Sequence, residues 1–79
     1  MTMRQYKAGQ YVHIPFATQL FKLDAHGAPT DVHRAESPLA LMYLGRHTDD
    51  QSRVFYLGEV WCVSTKNMYH LGEEIEKQR

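Results

Sequence analysis

Residues 54–63, Val-Phe-Tyr-Leu-Gly-Glu-Val-Trp-Cys-Val, constrain the fold more than any other stretch of the chain. Two runs of four apolar or aromatic residues flank a Gly-Glu pair. Helical spacing explains none of this pattern, whereas a β-hairpin pairs every residue. With Gly58 and Glu59 at the centre of a type II′ turn, Leu57 faces Val60, Tyr56 faces Trp61, Phe55 faces Cys62 and Val54 faces Val63. Apolar and aromatic cross-strand pairs of this kind stabilise an antiparallel sheet.

Shorter alternating segments surround the hairpin. Val12, Ile14 and Phe16 alternate with Tyr11, His13 and Pro15, which reads as a strand over residues 10–16 with one buried face. Pro15 cannot donate to a ladder, so this strand is expected at an edge or bent there. Residues 20–24 alternate again, with Phe21 and Leu23 expected inward. Asp24-Ala25-His26-Gly27 then fits a type I turn with Gly27 in the left-handed position, and residues 30–33 form the return strand. Residues 38–44 are open to two readings. Ser37, Pro38 and Gly45 suit the cap, first position and end of a short helix. That helix would have two turns, apolar on every side, so a buried strand is favoured. Residues 47–52 then form the polar turn into the hairpin, 64–67 the next turn, and 68–71 a last short strand.

The sum is an all-β domain over residues 1–72, with a polar C-terminal tail at 73–79. Five or six strands form an antiparallel meander, which hides its edges by curling into a small barrel. Lys7-Ala8-Gly9-Gln10-Tyr11-Val12 resembles the opening strand of SH3-like and Tudor-like small barrels. Tyr43-Leu44-Gly45, Gly58 to Val63 and Asn67-Met68-Tyr69 resemble their later strands and closing turn. The resemblance implies an SH3-like barrel. It is a resemblance of fold and names no ligand, since no Ala-Leu-Tyr-Asp-Tyr-like opening is present and fold alone does not set function.

Composition narrows the role. The 79 residues carry nine Lys plus Arg and nine Asp plus Glu, a net charge of zero. This excludes a histone-like basic protein and an acidic-tail protein. No apolar run approaches the roughly 18 residues of a membrane span, and the first residues lack the apolar stretch of a secretory signal. The single cysteine, Cys62, allows no intramolecular disulfide and suits a reducing cytoplasm.

The chemistry-bearing residues are scattered. His13, His26, His33, His47 and His70, with Cys62, lack metal-ligand spacing and contain no HExxH. Cys62 lies within the strongest strand, where burial makes a thiol inert. Asp49 and Asp50 are adjacent loop acids. The five glycines are isolated turn residues and form no phosphate loop. Neither a catalytic site, a cofactor nor a metal is expected.

The expected role is therefore non-catalytic: binding of another protein, as an accessory factor or inhibitor of the kind small phage- or plasmid-borne proteins provide. The candidate surface is Tyr11, His13 and Lys22 with the turn carrying Arg46, His47, Asp49 and Asp50. These should project outward, mixing aromatic and charged groups as interfaces do. Two other readings stand beside it. Residues 1–34 hold four basic and two acidic side chains, a local charge of +2, so Arg4, Lys7, Tyr11, Lys22 and Arg34 could hold single-stranded nucleic acid by charge and stacking. A structural homo-oligomer is the other. A chain this small has little stability to spare, and strand edges such as residues 10–16 offer pairing sites.

Overall fold

The computed structural model describes residues 5–71. Arg4 and the expected tail at 73–79 lie outside the described residues. Seven strands follow in chain order: β1 (Tyr11–Ile14), β2 (Gln19–Leu23), β3 (Pro29–Arg34), β4 (Leu39–Arg46), β5 (Gln51–Tyr56), β6 (Glu59–Ser64) and β7 (Tyr69–His70). A 3-10 turn at Thr65–Asn67 joins the last two. All seven belong to one antiparallel sheet, ordered β3-β2-β6-β5-β4-β1-β7.

The expected all-β architecture is observed, but its details differ. There are seven strands where five or six were expected. The sheet is also open: β3 and β7 lie at its two ends and do not pair with each other among the described residues. Residues 39–46 form a strand rather than a short helix. Their alternation decides it, since Leu41 and Tyr43 are buried while Ala40 before them is exposed and Met42 between them only half-buried. Both edges of β4 are also taken, by β1 and β5.

The first strand is not an edge either. β1 lies between β4 and β7. Pro15 falls just beyond its last residue, Ile14, so its missing N–H costs no ladder bond. Phe16 is exposed in the turn that follows rather than alternating inward, and on β2 the buried core residue is Leu20 rather than Phe21 and Leu23, so the strand's faces are the reverse of those expected. The hairpin from β2 to β3 turns where expected. The Asp24 carboxylate accepts the amides of His26 and Ala28 at 2.8 and 2.9 Å, an acceptor pattern that holds this tight turn.

The strongest hairpin is present with a different turn. Its two central residues are Leu57 and Gly58, at φ +53° and +76°. Positive φ at both positions makes a type I′ turn, whose twist matches that of the flanking strands. The register moves accordingly: Tyr56 faces Glu59, Phe55 faces Val60, Val54 faces Trp61 and Arg53 faces Cys62. Each residue of β5 shifts by two against β6, so no side chain changes face.

One layer of sheet makes the whole core. Val12, Ile14, Leu20, Leu41, Tyr43, Val54, Trp61, Val63 and Met68 form one cluster, with Tyr6, Leu39 and Tyr56 packed against it. They come from β1, β2, β4, β5 and β6, together with Met68 after the 3-10 turn. A flat sheet could not bury its own face to this degree, so the inner face must coil around the cluster. A bulge between Tyr43 and Gly45 bends β4. Gly45 has φ +150°, which residues with a Cβ rarely adopt. Ser52, fully buried at the end of the core, is hydrogen-bonded to the Thr65 hydroxyl at 2.7 Å. That bond ties β5 to the 3-10 turn.

Candidate binding surface

A single-layer sheet leaves its second face to solvent. Side chains alternate between faces along each strand, so register determines which residues share the outer one. Val12, Leu41, Val54 and Trp61 point to the core. Their neighbours Tyr11, Met42, Phe55 and Val60 therefore point outward. These four are also in register: Tyr11 faces Met42, Met42 faces Phe55 and Phe55 faces Val60. They form one apolar row across β1, β4, β5 and β6, about 14 Å from end to end at ordinary strand spacing. Tyr11 is 50% exposed, Phe55 44% and Val60 50%, while Met42 is half-buried.

Leu57 adds to the row from the turn just beyond Phe55 and Val60. It is 73% exposed and one of two non-glycine residues with positive φ among the described residues. Left-handed backbone costs a leucine about 1 kcal/mol, and Asn-Gly is the sequence a type I′ turn prefers. An exposed leucine in a strained conformation serves neither the core nor the turn.

The sequence-expected residues are not brought together. Tyr11 lies in the row. His13 lies beside it on the outer face of β1, half-buried, with its ring 6.4 Å from Tyr69. Lys22 is on β2, four strands from β1, about 19 Å along the sheet at ordinary strand spacing. Its ammonium sits 4.9 Å over the Trp61 ring and pairs with Glu59. Arg46 ends β4, four residues along from Met42, so about 13 Å from the row. His47, Asp49 and Asp50 follow in the β4–β5 turn. The Arg53 guanidinium donates to His47 Nδ1 at 3.0 Å, which fixes the imidazole with its proton on Nε2. The Asp50 carbonyl accepts the Thr65 amide at 2.8 Å, so the residue also anchors the 3-10 turn.

The basic residues do not form a stripe either. Lys7 precedes β1, and its amide donates to the Gln10 side chain. Arg34 ends β3, with its guanidinium 5.6 Å from the centre of the Phe16 ring. Tyr11 and Arg34 are on opposite flanks of the sheet.

A cleft of about 430 Å³ opens where β2 and β6, paired only at Phe21 and Cys62, diverge. Lys22, Asp24, His47, Arg53 and Glu59 line it with Cys62. Its formal charges balance, Lys22 and Arg53 against Glu59 and Asp24, so the lining offers no net charge to an ionic ligand. Burial pushes the Cys62 thiol above its ordinary value, with the nearby Arg53 charge opposing in part. Its cross-strand neighbours are Arg53 and Phe21, not the Phe55 expected from the earlier register. Among the described residues, no three His, Cys, Asp or Glu side chains gather to hold a metal ion, and no helix is long and apolar enough to cross a membrane.

Sequence reasoning missed Met42, Phe55, Leu57 and Val60. The signal lay in the hairpin itself. Eight of its ten residues are apolar or aromatic, more than one face of a strand pair needs. In a single-layer sheet the surplus must face outward. Comparisons with family models, curated proteins and solved structures found no match for the chain.

Proposed function

We propose that this protein is a non-catalytic binding module of the cytoplasm that captures another protein on the outer face of its sheet. The observation that carries the reading is the in-register row of Tyr11, Met42, Phe55 and Val60, extended by Leu57. Scattered surface hydrophobics are ordinary, but a contiguous apolar patch on a small domain marks an interaction site. Tyr, Phe and Met are the residue types enriched at interface centres. The partner's matching surface is apolar, because the row carries no charge. Arg53 and His13, which border it, supply a polar rim.

The small-barrel likeness belongs to the same proposal. What supports it is the chain path, in which the last strand returns to pair with the first and one inner face converges on one core. The site differs from the one expected from sequence, retaining Tyr11 at its centre and His13 at its rim.

A photo-crosslinking residue placed at Phe55 or Val60 should trap the partner in cells, whereas one at Ser37, in the loop before β4, should not. Phe55→Asp, checked for native folding by circular dichroism, should abolish capture. A folded Phe55→Asp chain that captures as much partner as the wild type overturns the proposal.

A further inference from the structure

β3 is the most exposed strand among the described residues, with five of its six residues exposed. It pairs only with β2, and its other edge has no partner among the described residues. The phase of the ladder shows which backbone groups are free. The Ala35 amide donates to the Thr18 carbonyl at 2.9 Å, and the Ala35 carbonyl accepts from the Ala17 amide at 2.8 Å. Ala35 therefore turns both its groups toward β2. By alternation His33 and Asp31 do the same, while Arg34 and Val32 turn theirs outward. The pairing of Phe21, which faces Val32, agrees: Phe21 bridges to Cys62 on the far side of β2.

We propose that this edge binds a second copy of the chain, β3 to β3, antiparallel about a two-fold axis at Val32. That axis uses the groups that are free. The two Val32 residues exchange amide-to-carbonyl bonds at the centre, and Arg34 of each copy lies opposite Thr30 of the other, at the irregularity where the β2–β3 register shifts. It also matches charge. Asp31 of each copy lies opposite His33 of the other, in the closer, non-hydrogen-bonded type of pair. Asp31 has no ion-pair partner among the described residues. Nε2 of His33 is 3.3 Å from the Tyr56 hydroxyl, which leaves the Nδ1 side of the ring for the incoming carboxylate. On the opposite face Val32, 61% exposed, packs against Val32. A register one residue away places unlike backbone phases together, and registers two residues away set Asp31 against Asp31 or His33 against His33. The strand is thus self-complementary in one register. The inference is independent of the outer-face row.

Sedimentation equilibrium of the full chain, from micromolar to millimolar concentration, tests it. The expected species is a dimer of twice 9.2 kDa, or 18.4 kDa. Val32→Pro removes an outward N–H that the β2 ladder does not use, so the variant should fold and remain monomeric. The charge pairs are tested separately. Asp31→Lys should weaken the dimer roughly tenfold, since the symmetry applies the unfavourable pairing twice. Adding His33→Glu to Asp31→Lys should restore it. A wild type that stays monomeric at every concentration overturns the proposal. So does a folded Val32→Pro dimer, or a double variant no tighter than Asp31→Lys alone. If Val32→Pro does not fold, the charge series decides.

Discussion

Replacing Leu57 with Asn should make the protein more stable, although it removes a hydrophobic side chain. Leu57 occupies the first central position of the β5–β6 turn at φ +53°. Holding a leucine there costs about 1 kcal/mol relative to ordinary backbone, and asparagine removes most of that cost. The opposing loss is small. Full burial of a leucine contributes about 2 kcal/mol, but Leu57 is 73% exposed, so only about a quarter, or about 0.5 kcal/mol, is at stake. The net gain is about 0.5 kcal/mol, which raises the melting temperature by about 2–4 °C in a domain of this size. Urea denaturation and thermal melting by circular dichroism would measure both. The same variant should bind the partner less well, because it removes the most exposed apolar side chain beside the row. Opposite signs for stability and capture are the diagnostic result. A Leu57→Asn chain less stable than the wild type would refute the type I′ turn and the argument from strain built on it.

Three further outcomes follow from the same geometry. Gly58→Ala places a Cβ at φ +76° and should cost about 1 kcal/mol or more in urea denaturation, although the space around the position is open. Ser52→Ala leaves the Thr65 hydroxyl without its buried partner and should cost about 1 kcal/mol, with faster hydrogen exchange at the Thr65 amide, whose bond to the Asp50 carbonyl it helps to position. The raised Cys62 pKa gives a signed pH dependence. Below the ordinary thiol value of 9.0 the group is neutral in both states and stability is unaffected by it. As pH rises through that value the unfolded chain releases the proton first, so stability falls. Urea titrations from neutral to alkaline pH should show this fall, and Cys62→Ala should reduce its slope.

Much of the architecture is legible in the sequence because period-two alternation is a local signal. Val12 and Ile14 mark inward positions in this way, whereas residues 39–44 and 54–63 are apolar at nearly every position, so their strands are legible but their inner faces, carried by Leu41, Tyr43, Val54 and Trp61, are not. The turn at residues 57–58 is less legible. Gly58 fits the first position of a type II′ turn as well as the second of a type I′ turn. Only the left-handed strain at Leu57, which sequence preference argues against, separates them. Strand order is not local at all. The β2–β3 hairpin docks on β6 through Phe21 and Cys62, and no pairing motif in either segment announces it. That docking places Lys22 at Trp61 and Glu59, away from Tyr11. It therefore divides the residues that alternation alone had gathered into one site.

The single-layer construction also separates the residues that fold the chain from those free to bind. Inner positions are mainly apolar, and the buried Ser52 is tolerated there because the Thr65 hydroxyl bonds it. Outer positions have no such requirement, and a polar residue there would be solvated at little expense. Tyr11, Phe55 and Val60 each remain about half exposed, so changing one of them to Thr forfeits about 1 kcal/mol of burial while the strand still carries a residue of high β propensity there. Met68, fully buried, should lose 2–5 kcal/mol on change to Ala, enough to unfold much of a small domain's population. Measured by urea denaturation, Phe55→Thr should thus remain folded while failing to capture the partner, and Met68→Ala should lose capture only in step with loss of fold. If Phe55→Thr were as destabilising as Met68→Ala, the outer row would be part of a second core, covered by chain or partner in the folded state, and its apolar character would need no binding partner to explain it.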